Sequence, residues 1–202
     1  MNIQDQQIPL PTKEEAEEIV KPIADLLRQA LQNAIEDWSA LYENVRHVLS
    51  PRTQSGIIHD HITHHAKSLL GSIPGVKTFT RKGIFTVALI ETADIRFKKL
   101  DAKLRSSNVR TQQHNRYSLQ LSLDGFEDLP RLTAGYILDD LRLALERAFV
   151  TLQVGRTVRY AIPLGGASGQ AVLPFPNPIT PPLAPRSRVR AKKISQKTAG
   201  KE

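Results

Sequence analysis

The chain contains no cysteine, which excludes disulfides, thiolate zinc sites, cysteine-ligated iron–sulfur clusters and cysteine nucleophiles together. Any catalysis must therefore draw on His, carboxylates, Lys, Arg, Ser, Thr or Tyr. Aromatic residues make up only 5% of the sequence, with one Trp and four Tyr, so no row of rings on which bases could stack accompanies the basic segments. No apolar run reaches the roughly 18 residues of a membrane-crossing helix. The opening Met1-Asn2-Ile3-Gln4-Asp5 has neither the basic nor the apolar region of a secretory signal. These absences predict a soluble, cytoplasmic protein with no membrane contact, and no motif calls for a cofactor.

What is present is a chain of 202 residues, 40% hydrophobic and 24% charged, enough for one domain of ordinary size and a tail. Its net charge of +8 is strongly segregated. Residues 1–50 hold four Lys/Arg against nine Asp/Glu, residues 77–116 hold ten against three, and residues 165–202 hold seven against one. An acidic start, a basic centre and a basic end suit a polyanion or an acidic protein surface at the centre.

The local signals predict an α+β fold: two antiparallel N-terminal helices and a later helix packed on a small, mainly antiparallel sheet. Residues 1–11, with Pro9 and Pro11, read as an extended leader. Thr12 and Glu15 form a capping-box pair that starts a helix, and Pro22 predicts a kink or restart. From Ile23 to Val48 apolar residues recur at steps of three and four, the spacing of one helical face. At about 1.5 Å per residue that helix would span roughly 40 Å, longer than a small core needs, leaving part of residues 23–48 for a partner or a second copy. Ser50-Pro51 caps a second helix over 51–70, stopped by Gly71. Residues 76–81 and 84–91 read as a hairpin about Lys82-Gly83, and 94–100 as a third strand. Alternation of Tyr117, Leu119, Leu121 and Leu123 with polar residues predicts a fourth strand. Residues 133–154 fit a helix capped by Thr133, although Ala148, Val150, Leu152 and Val154 alternate as a strand would, and 157–162 reads as a last strand. The core domain thus covers 12–164, and 165–202, rich in proline and then basic, is expected to be disordered.

Five of the six histidines lie in 47–65. His61 and His65, four apart, share a helix face as helical zinc ligands do, but no third ligand follows in the sequence, so they remain weak metal candidates beside a reading of no metal site. Arg52 and His59, separated by six residues, resemble the Arg-x(4–6)-His motif of HEPN ribonucleases, which act on RNA phosphates; that fold is wholly helical, whereas this chain turns to strands after 75. Glu91, Asp94 and Lys98 resemble the acidic-acidic-lysine set of restriction-endonuclease-like folds, with Asp and Lys four apart instead of two. In Ile95-Arg96-Phe97-Lys98-Lys99-Leu100-Asp101, alternation puts Arg96 and Lys98 on one strand face and Lys99 on the other. With Arg105 and Arg110 these offer phosphate contacts, to which the tail adds Arg186, Arg188, Arg190, Lys192 and Lys193.

The strings Ile58-His59-Asp60, Arg96-Phe97-Lys98-Lys99-Leu100-Asp101, Ser107-Asn108 with Thr111-Gln112-Gln113, and Ala134-Gly135-Tyr136 resemble an uncharacterised bacterial family met among mobile-element and defence-type genes. The resemblance covers roughly 45–164 and implies a shared fold without an activity. The reading that follows is a non-enzymatic interaction module of toxin–antitoxin or phage-defence type, which binds a protein partner and adds nucleic-acid contact. The enzyme alternative is a nuclease or toxin using Arg52, His59, Arg96 and Lys98, and a third is a nucleic-acid-binding regulator.

Overall fold

A computed structural model describes residues 8–106, 112–122 and 127–165 of the protein, apart from the side chains of 113 and 114. It is α+β, with a helical layer built before residue 71 laid on one face of a six-stranded sheet.

Helix α1 (Lys13–Val20) begins at the expected capping box: Thr12 Oγ1 accepts from the Glu15 amide at 3.2 Å, and Glu15 Oε2 accepts from the Thr12 amide at 2.8 Å. Pro22 falls in a 3₁₀ turn, Lys21–Ile23, from which α2 (Ala24–Leu41) continues. The expected helix to Val48 stops early. Arg46 folds back to donate from Nη1 to the Ser39 carbonyl at 3.0 Å, satisfying one of the acceptors that a helix end leaves free. A second 3₁₀ turn, Arg46–Val48, leads to α3 (Pro51–Leu70), capped by Ser50 Oγ accepting from the Thr53 amide at 3.2 Å. Helices α2 and α3 pack on each other and on the sheet through Leu27, Leu31, Ile35, Trp38, Ile58 and Ile62, all buried. The apolar face of residues 23–38 is thereby consumed inside the protein, so a second copy could use only the stretch beyond it.

Of the expected leader, residues 8–11 are described, and they lie against the domain. Ile8 is buried and its amide donates to the Gln120 carbonyl, while Tyr160 Oη donates to the Pro11 carbonyl.

The sheet order is β1-β2-β3-β4-β5-β6, with β1 (Val76–Arg81), β2 (Ile84–Leu89), β3 (Ala93–Lys99), β4 (Arg131–Leu138), β5 (Leu145–Val154) and β6 (Thr157–Pro163). All neighbours are antiparallel except β3 and β4, which run parallel and are joined by a crossover containing α4 (Gln112–Ser118). Lys82 and Gly83 both take positive φ (49° and 74°), the conformation of a two-residue hairpin turn that follows the strand twist.

Two expectations give way here. Residues 133–154 are a hairpin, not a helix, so the later helix that was to pack on the sheet is replaced by two of its strands. The break is made by Asp139, whose Oδ1 accepts from the Leu143 and Ala144 amides at 2.7 and 3.0 Å, and by Arg142 at φ 59°. Ladder pairing with β3 and β6 on either side outweighs the helical preference of Leu, Glu, Arg and Ala. Conversely, Tyr117 to Ser122 is no strand, and Leu123 of the expected strand lies outside the described residues. The α4 helix ends at Ser118 and the chain turns at Gln120, φ 55°.

Pleat alternation sorts the strand residues. Ile95, Phe97, Leu132, Ala134, Val150 and Leu152 face the helices. Asp94, Arg96, Arg131, Thr133 and Thr151 face the other way, yet they too are buried, beneath Leu100, Leu104 and Tyr117 of the crossover.

Candidate functional site

Two polar clusters stand out, one on each side of the sheet. The first lies in the seam between α2 and α3. His61 and His65 project from one face of α3, as their spacing predicts, and Asp37 of α2 meets both. His61 Nδ1 and His65 Nε2 donate to the same oxygen, Asp37 Oδ2, at 3.0 and 2.7 Å. The far nitrogen of His61, Nε2, stands 3.3 Å from the Tyr42 hydroxyl, and the His64 ring meets that of His65 edge-on. The hydrogen bond from His65 holds the Asp37 carboxyl below its ordinary pKa; burial opposes it and the bond from His61 reinforces it. All three side chains are partly open, at 19, 20 and 36% exposure for His61, His65 and Asp37, so solute can reach the seam. Asp37 carried no sequence signal: it lies 24 residues before His61, and only helix pairing brings it there.

The second cluster sits under the far face of the sheet. The Arg96 guanidinium stacks 3.9 Å from the centre of the Tyr117 ring, and that of Arg131 lies 5.2 Å from the same ring. Arg131 Nη1 donates to the Leu121 carbonyl at 2.6 Å, and Gln120 bridges the backbone amide and carbonyl of Arg131. Asp94 lies in this layer, its pKa pushed up to about 6 by burial against the pull of Arg131. Burial drives the Tyr117 hydroxyl up to about 12. Arg131 drew no notice in the sequence, because a lone arginine at a strand start looks like an exposed edge charge.

Placing the expected site residues against this geometry separates them. Arg96 is 5% exposed and is not a surface cation; the pleat turns it under the sheet, where an aromatic ring takes its charge. Lys98 is half-buried, its pKa lowered to about 8 by burial and then by Arg96. Burial lowers the pKa of His59, and the charge of Lys98 lowers it further. Arg52 is exposed in the first turn of α3, about two turns from His59, so Arg52, His59, Arg96 and Lys98 do not converge on one phosphate-sized point. Lys99 is half-buried, its pKa lowered by burial and then by Arg142. Arg105 is engaged by Asp101, with Nη2 to Oδ2 at 2.8 Å. Arg110, Arg186, Arg188, Arg190, Lys192 and Lys193 lie outside the described residues. Glu91 is exposed in the β2–β3 turn at φ 61°, whereas Asp94 is buried and Lys98 half-buried in β3.

No family model, curated protein or solved structure matches the chain. Among the described residues no helix is long and apolar enough to cross a membrane.

Proposed function

We propose that the protein is a non-enzymatic interaction module, of the toxin–antitoxin or phage-defence kind, that captures a protein partner at the C-terminal end of α2. One observation carries the reading. Leu41, Val45 and Val48 continue the apolar rhythm of α2 beyond the point where it packs, and they remain 68, 44 and 69% exposed. Leu141 adds a fourth apolar side chain at 76% exposure, in a loop held to the same end of α2 by the Trp38 Nε1 donation to the Arg142 carbonyl at 3.1 Å. Isolated exposed apolar residues are ordinary, but four toward the same end of α2 support an interface there.

The partner is a protein segment with apolar side chains flanked by Lys or Arg. Beside the apolar corner a hollow of about 490 Å³ is lined by Ile35, Ala40 and Leu143 together with Glu36 and Glu43, while the one cation there, Arg46, is committed to Ser39. That rim favours a basic ligand. The basic tail adds nonspecific phosphate contact, and the setting rests on the string resemblance alone.

The test is to identify the partner that copurifies with the tagged chain in its native cell and rebuild the complex from purified components. Titration of a Leu41→Asp, Val48→Asp double variant should lose at least about tenfold in affinity, the scale of one interface hot spot, with an unchanged melting temperature. Undiminished binding by the variant overturns the reading. So does self-association that the same variant abolishes, or cleavage of RNA or DNA that a His59→Ala substitution removes.

A further inference from the structure

The geometry points to a divalent transition-metal site, best suited to Zn²⁺, formed by Asp37, His61 and His65 in the α2–α3 seam. One ligand atom from each of the three lies within 4.8 Å of the other two, drawn from two helices whose packing is fixed by the buried Leu31, Trp38, Ile58 and Ile62. Two imidazoles and one carboxylate form the borderline nitrogen–oxygen set that selects zinc and its neighbours over Mg²⁺ or Ca²⁺, which require oxygen ligands.

The distances are near those a metal needs. With metal–ligand bonds of about 2.0–2.1 Å, the ligand atoms of a tetrahedral site stand ~3.3 Å apart. The two nitrogen–oxygen separations are 3.0 and 2.7 Å, so an entering ion spreads them by a few tenths of an ångström, within the reach of side-chain rotation alone. Binding replaces the two protons now shared with Asp37 Oδ2. His61 Nδ1 and His65 Nε2 become ligands as each ring takes the neutral tautomer with its N–H on the other nitrogen, Nε2 of His61 and Nδ1 of His65, so each displaced proton is returned to the far side of its own ring.

Tyr42 is the independent indication. A metal-bound histidine ordinarily donates its other ring N–H to a fixed acceptor, which sets the tautomer and orients the ring. The Tyr42 hydroxyl stands at that position on His61, 3.3 Å from Nε2, and its ring is stacked on the buried Trp38 at 5.4 Å between centroids, which holds it in place. Three protein ligands with partial exposure leave one coordination position for water or a ligand atom from elsewhere. The ion would clip α2 to α3 immediately before the apolar corner at Leu41.

The experiment uses the full chain without an affinity tag, stripped with chelator and dialysed. Isothermal titration with ZnCl₂ should give one site per chain, and Co²⁺ should give the intense visible bands of four-coordinate cobalt. Zn²⁺ should also raise the melting temperature by preferential binding to the folded state. Asp37→Asn keeps a hydrogen-bond acceptor for the histidines but loses the charged ligand. It should weaken Zn²⁺ at least tenfold, as should His65→Gln, and Tyr42→Phe should weaken it about tenfold through orientation. His47→Ala should leave the affinity unchanged. Absence of saturable binding by the unaltered chain overturns the site, as does an affinity that His65→Gln or Asp37→Asn leaves undiminished. Six-coordinate cobalt spectra, the mark of adventitious surface binding, do so as well. Because the cobalt spectrum reads the unaltered chain, a variant that failed to fold would still leave the question decided.

Discussion

Gly135 of β4 has no side chain because Leu100 fills its place: a Cβ built on Gly135 would fall within the Leu100 isobutyl group. Leu100 is 4% exposed and its amide donates to the Tyr136 carbonyl, so it is pinned from two sides. That contact seats the start of the crossover on the far sheet face and closes the layer that holds Arg96.

Gly135→Ala should therefore destabilise the protein by roughly 1–3 kcal/mol, the range for overpacking a filled site. Denaturant titration checks this, and the double variant Gly135→Ala, Leu100→Ala should recover part of the added strain, giving a non-additive cycle. Simple additivity of the two losses would show that they do not share the space.

Arg96 should behave as a packing residue. Arg96→Ala, which removes the group stacked on Tyr117, should cost about 2 kcal/mol or more. Arg96→Met should be tolerated within about 1 kcal/mol, since Arg96 Nε has no hydrogen-bond partner and an apolar chain of similar length avoids the desolvation. Neither change should alter nucleic-acid affinity, whereas removal of 165–202 should lower both that affinity and its salt dependence. Filter binding across a salt series reads both.

Asp94 should make stability fall as pH rises. Its folded pKa of about 6 lies above the ordinary value of 3.8, so the protonated form is favoured in the fold. Its contribution is fully present below about pH 4 and is lost as pH climbs through 6, by at most about 3 kcal/mol. Asp94→Asn should flatten this part of the profile. Guanidinium unfolding at a series of pH values between 4 and 7 checks it; an unchanged slope in the variant would assign the effect elsewhere.

Lys98, with its pKa lowered to about 8 by burial and then by Arg96, should react with acylating reagents with a midpoint near that pH. Competitive labelling read by mass spectrometry should set it apart from the solvent lysines, and Arg96→Met should move its midpoint upward.

Residue order alone determined the local elements whose cause is local. Thr12 with Glu15, Ser50 with Pro51, and Lys82-Gly83 each close hydrogen bonds within a few residues, so the starts of α1 and α3 and the β1–β2 turn could be read without neighbours. The same holds for the sharing of one face by His61 and His65, which follows from 100° per residue. Tertiary structure decided whatever depends on groups distant in the chain. It made residues 145–154 a strand, because β4 and β6 offer ladder partners that helix propensity cannot foresee. It turned Arg96 inward, because burial of a charge depends on whether a ring such as Tyr117 arrives to face it. It also placed Asp37 beside the two histidines, since only the packing of α2 on α3 sets the rotation and register that bring a carboxylate within 3 Å of both rings.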